Sequence, residues 1–376
     1  MSTQFSTKHA EIAAELRREI ESGKYGQEGR LPSEAKLVAR YNVSRPTVAQ
    51  AMRTLCEEGL VVRRAGSGSY AKQSGNSTLP VATRKLALLM PHFGHTEVFQ
   101  LIAGHLASLA RHHEYGLVWG GSTMPQLDAD TRLEHGEELC QQFIEKRVDG
   151  VFFSPYEFVE GGYEANLRMV KRFREAGIPV VLVDHDIAAY PERSDFDLVG
   201  VDNMGGGYLL GRHLIKLGCS SFVFVSRPLS ASTVDARFTG VWKAVNQHGD
   251  PSATLKQERG NVGDRMFVNK VMGSRPDAIL CGNDQTAAVL IQTLGKFGVS
   301  VPRDVRVAGF DDAGFAGLVA PPLTTVRQPC QEIAISAFRA MMERILDPSL
   351  PPRSIKLSGA LVVRESCGAY LPREVK

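Results

Sequence analysis

Several charged side chains of this 376-residue chain come directly after short apolar runs. Asp184 and His185 follow Val180–Val183, and Asp284 comes shortly after Ala278–Cys281. If these runs are parallel strands, their carboxyl ends meet at one edge of a sheet, which is where open α/β proteins bind small ligands. A fixed carboxylate accepts charge-assisted hydrogen bonds and suits the vicinal hydroxyl groups of a sugar. The pattern therefore predicts a ligand site that includes Asp184, His185 and Asp284.

Other patterns that resemble catalytic or metal chemistry are weaker. His92 and His95 lie three apart in a loop with no third ligand nearby, so we predict no metal site there. Gly205–Gly207 follow an apolar run, but they lack the GxGxxG spacing of a phosphate-binding turn. The sequence also has no P-loop and no GxSxG nucleophile elbow. We therefore predict no cofactor and no enzymatic activity.

The segment from Leu31 to Tyr70 has the spacing of two short helices followed by a hairpin. The first helix signal follows Pro32, and a polar break separates it from a second helix that begins at Ser44, a good N-cap residue. Residues at helical spacing on this second helix predict its buried face; they are Val48, Met52 and Leu55. The residues left on its opposite face are Thr47, Gln50 and Arg53. Two helices at a sharp turn and a basic hairpin indicate a winged helix-turn-helix.

The same segment resembles the DNA-binding domain of GntR-type transcription factors. The matching stretches are Leu31–Glu34, Val43–Thr47 and Arg63–Gly68. The resemblance implies that Arg45 and Thr47 contact operator DNA and that Gly66 lets the wing approach the minor groove. Many members have an arginine where this chain has Ala35, and the neighbouring Lys36 is the candidate to replace it. The complete set of predicted DNA-binding residues is Lys36, Ser44, Arg45, Thr47, Gln50, Arg53, Arg64, Gly66 and Gly68.

The pattern of apolar residues changes after a polar linker that contains Gly75 and Pro80. From Lys85 onward, apolar strands alternate with helices in two successive series, which predicts an α/β fold with parallel sheets. Two series favour two lobes with a ligand cleft at the carboxyl ends of their strands.

This second part resembles LacI-type sensor domains. The stretches that match are Val199–Gly207, Cys281–Asp284, Val307–Asp312 and Leu323–Pro329. The resemblance implies a fold like that of periplasmic sugar-binding proteins, with a small ligand between the lobes. It also implies a ligand-binding arginine at Arg237 and a ligand-binding aspartate at Asp284. An interlobe salt bridge or a helix N-cap stays open as the alternative for both.

The resemblance extends to weaker candidates at the start of the first helix of this part. Glu97 and Phe99 lie where the family often supplies an aromatic ring for stacking, although Phe99 could equally belong to the core. By the same resemblance, Asp311 and Asp312 shape the second lobe and are not a catalytic pair.

The fold expected is α/β, a two-lobed periplasmic-binding-protein-like sensor domain with parallel sheets flanked by helices, preceded by a small winged helix-turn-helix domain. The boundaries expected are 1–75 for the DNA-binding domain, 76–84 for the linker and 85–376 for the sensor domain, with the first lobe at about 85–202 plus 327–347 and the second at about 203–326 plus 348–376. A GntR-type head on such a sensor domain is the combination of arabinose-repressor-like regulators.

Charge and cysteine usage agree with a regulator. Residues 1–72 contain 12 Lys and Arg against 8 Asp and Glu, whereas the whole chain contains 44 against 41, so the excess positive charge lies in the predicted DNA-binding domain. The six cysteines show no CxxC pair and predict buried free thiols. No apolar signal segment or membrane span is seen, and we expect a cytoplasmic protein.

The function expected is that of a homodimeric repressor of carbohydrate genes that binds a palindromic operator and is controlled by a small ligand, most simply a monosaccharide. The alternative effector is a sugar phosphate or purine that acts as corepressor. A role as a solute-binding protein would account for the sensor domain but not for the predicted DNA-binding domain.

Overall fold

A computed structural model describes residues 8–21, 24–25, 31–57, 60–64, 68–71, 84–90, 97–120, 129–189 and 191–371. The chain divides into two compact units, residues 1–82 and 83–376. No helix among the described residues is both long and apolar enough to cross a membrane.

The first unit is a three-helix domain with a two-stranded wing. Its elements are α1 (Lys8–Glu21), α2 (Glu34–Tyr41), α3 (Arg45–Glu57), β1 (Val61–Arg64) and β2 (Gly68–Ala71). The three helices meet at a small core, in which Leu16, Leu37, Met52 and Leu55 are fully buried. This confirms the helix-turn-helix that helical spacing predicted.

Helix α2 has capping residues at both ends, and its Arg40 forms ion pairs with Glu15 and Glu19 of α1. The Ser33 hydroxyl caps α2 by accepting from the Lys36 amide, and Asn42 ends α2 in the left-handed conformation at φ 47°. Arg40 of α2 donates to Glu19 of α1 over 3.0 Å. Glu19 is 9% exposed, and its hydrogen bond from Arg40 lowers its pKa to about 2 even though burial works in the opposite direction.

The second unit contains two parallel sheets with helices on their faces. Its elements, in chain order, are β3 (Lys85–Leu89), α4 (Glu97–His112), β4 (Gly116–Trp119), α5 (Ala129–Glu145), β5 (Gly150–Phe153), α6 (Gly162–Glu175), β6 (Val180–Val183), β7 (Asp197–Val201), α7 (Asn203–Lys216), β8 (Ser221–Ser226), α8 (Ser232–His248), β9 (Thr254–Arg259), α9 (Arg265–Gly273), β10 (Ala278–Cys281), α10 (Asp284–Lys296), β11 (Arg306–Ala308), β12 (Thr325–Arg327), α11 (Cys330–Leu346), β13 (Ser354–Leu357) and β14 (Ala360–Val362).

The sheets define two lobes. The first has the strand order β13-β7-β6-β5-β3-β4 and the second β11-β10-β8-β9, with every pair of neighbours parallel. The central strands β5, β6 and β10 are buried along their whole length, as strands covered by helices on both faces should be. This confirms the α/β fold with parallel sheets.

Three segments connect the lobes. The chain leaves the first sheet after β7, returns through β12 to α11, and leaves again between β13 and β14, which itself pairs antiparallel with β12. Strand β13 pairs with β7 from Ser354 to Leu357, so these residues belong to the first lobe. The prediction that put residues 348–376 in the second lobe is therefore wrong for β13, because an edge strand with an unremarkable sequence gives no sign of its pairing partner.

Helices α7 and α8 pack at very close range through glycines. A Cβ atom on Gly207 would lie 2.0 Å from the carbonyl oxygen of Arg237, and one on Gly240 would lie 2.0 Å from that of Met204. The glycine run that superficially resembles a phosphate-binding turn thus forms part of a helix contact. Its role is to let two backbones approach.

Candidate ligand cleft and DNA-reading surface

Helix α3 presents two chemically different faces. Val48 and Met52 are fully buried, whereas Arg45, Gln50 and Arg53 are exposed. Thr47 is half-buried, and its hydroxyl lies 2.8 Å from that of Ser44 at the start of the helix. The Ser44 carbonyl accepts from the Thr47 and Val48 amides over 3.1 and 3.3 Å, which begins the first turn. A polar, cationic face on the second helix of a helix-turn-helix is the arrangement that enters a major groove.

The wing lies beside this helix pair. Arg64 of β1 pairs with Gly68 of β2 across the hairpin, and Gly68 has a φ of 116°, a conformation that favours glycine. The Leu31 amide donates to the Ser69 carbonyl over 2.9 Å, which ties the wing to the segment before α2. Lys36 is exposed on α2. Gly66 and the side chain of Arg64 lie outside the described residues, so their predicted DNA contacts stay predictions.

Asp184 and His185 lie together at the end of β6. Asp184 has a φ of 77°. Its Oδ2 atom lies 3.0 Å from His185 Nδ1, and the His185 side chain is 4% exposed. Burial alone would lower the pKa of His185, but the hydrogen bond and negative charge of Asp184 outweigh it and raise that pKa. The two residues therefore form a buried hydrogen-bonded pair at the carboxyl edge of the first sheet.

Arg237 of α8 is 5% exposed and bonded to protein groups. Its Nε donates to Asn203 Oδ1 over 2.8 Å and its Nη1 to the Gly282 carbonyl over 2.6 Å. The guanidinium carbon lies 3.8 Å from the centre of the Phe310 ring. Arg237 thus connects the start of α7, the end of β10 and the segment after β11.

Asp284 is 1% exposed at the start of α10. Asn283, not Asp284, caps that helix, by accepting from the Thr286 amide. The Asp284 carboxylate accepts from Thr325 Oγ1 over 2.6 Å and from the Ala313 amide over 2.9 Å. Burial raises its pKa to about 6 although both bonds oppose the shift. Asp284 therefore holds the crossover strand β12 against the second lobe.

The pair Asp311 and Asp312 has structural partners. Asp312 forms ion pairs with Arg327 and Arg364, each over 2.6 Å, and these lower its pKa against the effect of burial. Asp311 accepts from Gln328 Nε2 over 2.8 Å, and burial raises its pKa to about 7. This geometry agrees with the structural role that the resemblance implied.

Three cleft residues were not predicted from the sequence. Ser154, Ser226 and Gln328 are between 1% and 6% exposed, and each has a side-chain oxygen without a hydrogen-bond partner among the described residues. Ser154 follows β5, Ser226 ends β8, and Gln328 follows β12. The signal that could have found them is the one that found Asp184, a polar residue at the carboxyl end of an apolar strand. Buried polar atoms without partners are uncommon, and a water molecule or a ligand can supply the missing partner.

The two lobes touch across the cleft. The Ala231 amide donates to Glu157 over 2.8 Å, and the Phe158 amide donates to the Leu229 carbonyl over 2.8 Å. Glu97, which was predicted to bind the ligand, also contributes to this contact: its carboxylate accepts a hydrogen bond from the Gly314 amide of the opposite lobe.

Phe99 is 4% exposed and packs within the apolar core of the first lobe. Of the two interpretations offered for Phe99, the structure places it in the core. Its contact with a ligand stays a prediction.

Neither a metal cluster nor a disulfide is found among the described residues, and the six cysteines are free. His92 and His95 lie outside those residues.

Comparison with known protein families identifies the same two domains. Residues 8–70 match the gntR family of bacterial regulatory proteins, and residues 212–367 match the periplasmic binding protein-like domain.

Individual relatives share both the sequence and the fold. The arabinose metabolism transcriptional repressor of Geobacillus stearothermophilus is 26% identical over 373 residues, which is 95% of each chain. The transcriptional repressor PurR of Yersinia enterocolitica is 30% identical over 255 residues, 65% of this chain and 71% of that one. The regulator CelR in complex with cellobiose has a TM-score of 0.62 at 21% identity, over 86% of this chain and 91% of that one, and shows a shared fold.

Proposed function

Because the chain belongs to the transcriptional regulators that join a GntR-type DNA-binding domain to a periplasmic-binding-protein-like domain, we propose that it represses carbohydrate-utilisation genes and releases its operator when a sugar binds between the lobes. The observation that carries this proposal is the set of buried oxygens after β5, at the end of β8 and after β12 that have no hydrogen-bond partner among the described residues, in a chain that also exposes a cationic helix face.

The cleft suits a hydroxylated ligand. A sugar hydroxyl both donates and accepts, so a ring of carboxylate, amide and hydroxyl oxygens can be satisfied by several hydroxyl groups at once. These oxygens come from both lobes and from the crossover. A ligand that prefers one arrangement of the lobes shifts the population toward it, and without such a preference it shifts nothing.

On the DNA side, we propose a homodimer that binds a palindromic operator. Two copies of a helix-turn-helix related by a two-fold axis read two half-sites, so operator symmetry mirrors that of the protein. Contacts from α3 to base edges are worth about 1–3 kcal/mol each, and contacts to phosphates add salt-sensitive affinity.

The test uses the purified full-length protein and the DNA upstream of its gene. A mobility shift or fluorescence anisotropy measurement should show sequence-specific binding, and a thermal-shift panel of sugars should reveal a ligand that weakens it. A protein that binds no double-stranded site with or without sugars contradicts the proposal. Binding of sugar without any DNA binding supports a solute-binding protein instead.

A matched pair of arginine variants tests the role of α3 as the recognition helix. Arg45→Ala should lower operator affinity by about 5- to 150-fold, since one base-edge contact is worth about 1–3 kcal/mol. Arg18→Ala, on the exposed side of α1, removes the same charge from the same domain and should change affinity far less. Sugar binding should persist in both variants. Equal losses of operator affinity would show that only the net charge of the domain matters.

A further inference from the structure

The loop after β5 in the first lobe and the loop after β8 in the second are joined by hydrogen bonds in both directions. The Ala231 amide donates to a carboxylate oxygen of Glu157 over 2.8 Å, and the Phe158 amide donates to the Leu229 carbonyl over 2.8 Å. Phe158 and Leu229 both adopt the left-handed conformation, at φ 57° and 56°, which is uncommon for residues other than glycine. The guanidinium carbon of Arg227 lies 4.4 Å from the centre of the Phe158 ring. The two loops therefore form a specific interlobe contact.

Glu157 provides helix α8 with a cap that its own lobe does not supply. Ala231 is the N-cap residue of α8 and has no side-chain oxygen that could accept from the first turn. In a capping box, a glutamate at the third helical position accepts from the N-cap amide, but α8 has Val234 at that position. Glu157 accepts from the same amide and comes from the opposite lobe. A carboxylate at this end of a helix also interacts favourably with the helix dipole.

Helix α8 connects this cap to the first crossover. A Cβ atom on Gly207 of α7 would lie 2.0 Å from the carbonyl oxygen of Arg237 of α8, so the two backbones are in direct contact. The Arg237 side chain also donates to Asn203, the first residue of α7, over 2.8 Å. Helix α7 follows β7 directly, where the chain leaves the first lobe. A bond that fixes α8 against the first lobe therefore also restrains α7 and the crossover.

Two opposing effects determine the strength of the cap. Burial raises the pKa of Glu157, whereas the charge of His185 and the bond from the Ala231 amide lower it. Separation of the lobes would break the bond and at the same time return the carboxyl group to water. The second effect compensates part of the first, so the contact can open and close reversibly.

We propose that Glu157 is a positioning residue that holds the two lobes together by capping α8 across the cleft. Loss of the cap releases α8, and with it α7, from the first lobe. The lobes then also separate at a second contact, where the Gly314 amide donates to the carboxylate of Glu97. This inference rests on the proposed function in one respect, because it takes lobe separation as the change that the effector controls.

Hydrogen exchange of the full-length protein, measured by mass spectrometry, reports the separation of the lobes at amides that are bonded across the cleft. Glu157→Ala removes the cap, and the loss of a hydrogen bond to a charged acceptor should change the opening equilibrium by about 10- to 150-fold. Exchange at Gly314, whose amide is bonded to Glu97, should accelerate by this order. Faster exchange at Ala231 with unchanged exchange at Gly314 means that the cap acts only locally, and this result overturns the proposal.

Two matched variants test the role of the acceptor oxygen. Glu157→Gln keeps an oxygen at nearly the same position, so its acceleration of exchange at Gly314 should be at least about threefold smaller than that of Glu157→Ala. Glu160→Ala removes the same charge from an exposed position of the same loop and should leave this exchange within about twofold of the wild-type rate. Equal acceleration by Glu157→Ala and either of these variants contradicts the role of the cap.

Amides of β10, which are bonded within one sheet, distinguish lobe separation from global unfolding. Their exchange should stay at the wild-type rate in Glu157→Ala, and an acceleration equal to that at Gly314 contradicts the proposal. These measurements use neither DNA nor a sugar. Their failure would therefore leave the proposed function standing, and a failure of operator binding would leave the role of Glu157 unchanged.

Discussion

The bond between Thr325 and Asp284 joins a crossover strand to the second lobe, and removing it should destabilise the sensor domain in a pH-dependent way. Thr325 is fully buried. Its hydroxyl donates to the Asp284 carboxylate over 2.6 Å and accepts from the Asp312 amide over 3.2 Å. Thr325→Val keeps the shape of the side chain and deletes both contacts. The remaining partner, Asp284, stays buried in either ionisation state.

The magnitude follows from the pKa of Asp284, which burial raises from 3.8 to about 6. A carboxyl group whose pKa is higher in the folded state stabilises fully below its unfolded pKa, and this contribution is lost as the pH rises through the folded value. Without the Thr325 hydroxyl the folded pKa rises further, because the bond favours the ionised form. If the bond is worth one pKa unit, its loss costs about 1.4 kcal/mol more at pH 8 than at pH 5. A neutral hydrogen bond worth about 1 kcal/mol is lost at both values of pH.

Urea unfolding followed by tryptophan fluorescence measures this difference selectively. The chain has two tryptophans, Trp119 in β4 of the first lobe and Trp242 in α8 of the second, so the signal reports the sensor domain. Thr324→Val is the matched control. Thr324 is equally buried, but its hydroxyl bonds only to backbone groups of Arg364, over 2.8 and 3.0 Å.

Both valine variants should be destabilised, and only Thr325→Val should be more destabilised at pH 8 than at pH 5. An identical cost at the two values of pH for Thr325→Val would refute the reasoning, because the partner of its hydroxyl would then not titrate in this range.

Two further predictions concern single contacts in the two domains. Glu19→Gln should destabilise the DNA-binding domain by about 1–3 kcal/mol, since Arg40 loses a buried charged partner but is itself partly exposed and screened. The lowered pKa of Glu19 means that this contribution is present above pH 4.5 and is lost as the pH falls toward about 2, which hydrogen exchange of this domain can follow. Gly240→Ala places a Cβ atom 2.0 Å from the Met204 carbonyl oxygen and should cost about 3 kcal/mol or prevent folding, as measured by thermal unfolding. In contrast, Gly295→Ala on α10 meets open space and should stabilise by about 0.5–1 kcal/mol; equal effects would mean that helix propensity alone decides.

The fold was predictable because it depends on long, strongly patterned segments. The apolar runs Val180–Val183 and Ala278–Cys281 are buried strands, and the spacing of Val48, Met52 and Leu55 placed the core face of α3 correctly. Such periodicities are local properties of the sequence. The lobe to which strand β13 belongs could not be predicted in this way, because β13 pairs with β7, which lies more than 150 residues earlier in the chain.

The site was less predictable because its chemistry depends on partners that come from distant parts of the chain. The sequence shows that Asp284 follows a strand, but not that Thr325 and Ala313 approach its carboxylate. It shows an arginine at position 237, but not that Asn203 and Gly282 occupy its donors. The residues predicted at the cleft therefore have contacts that no local pattern could reveal.

These contacts bear on how a ligand in the proposed cleft would act on DNA binding. Asp284 bonds to crossover strand β12 through Thr325, and Arg237 bonds to the start of α7, the element that follows the first crossover. The groups that we propose to surround the ligand are thus the same groups that hold the crossover segments. A ligand that reorients these side chains must alter the hinge, and the free energy available for this is the difference between its affinities for the two arrangements. A tenfold preference supplies about 1.4 kcal/mol, which is comparable to the cost of losing one of these buried hydrogen bonds. The rearrangement of one such contact is therefore within the free energy that a ligand of this selectivity would supply.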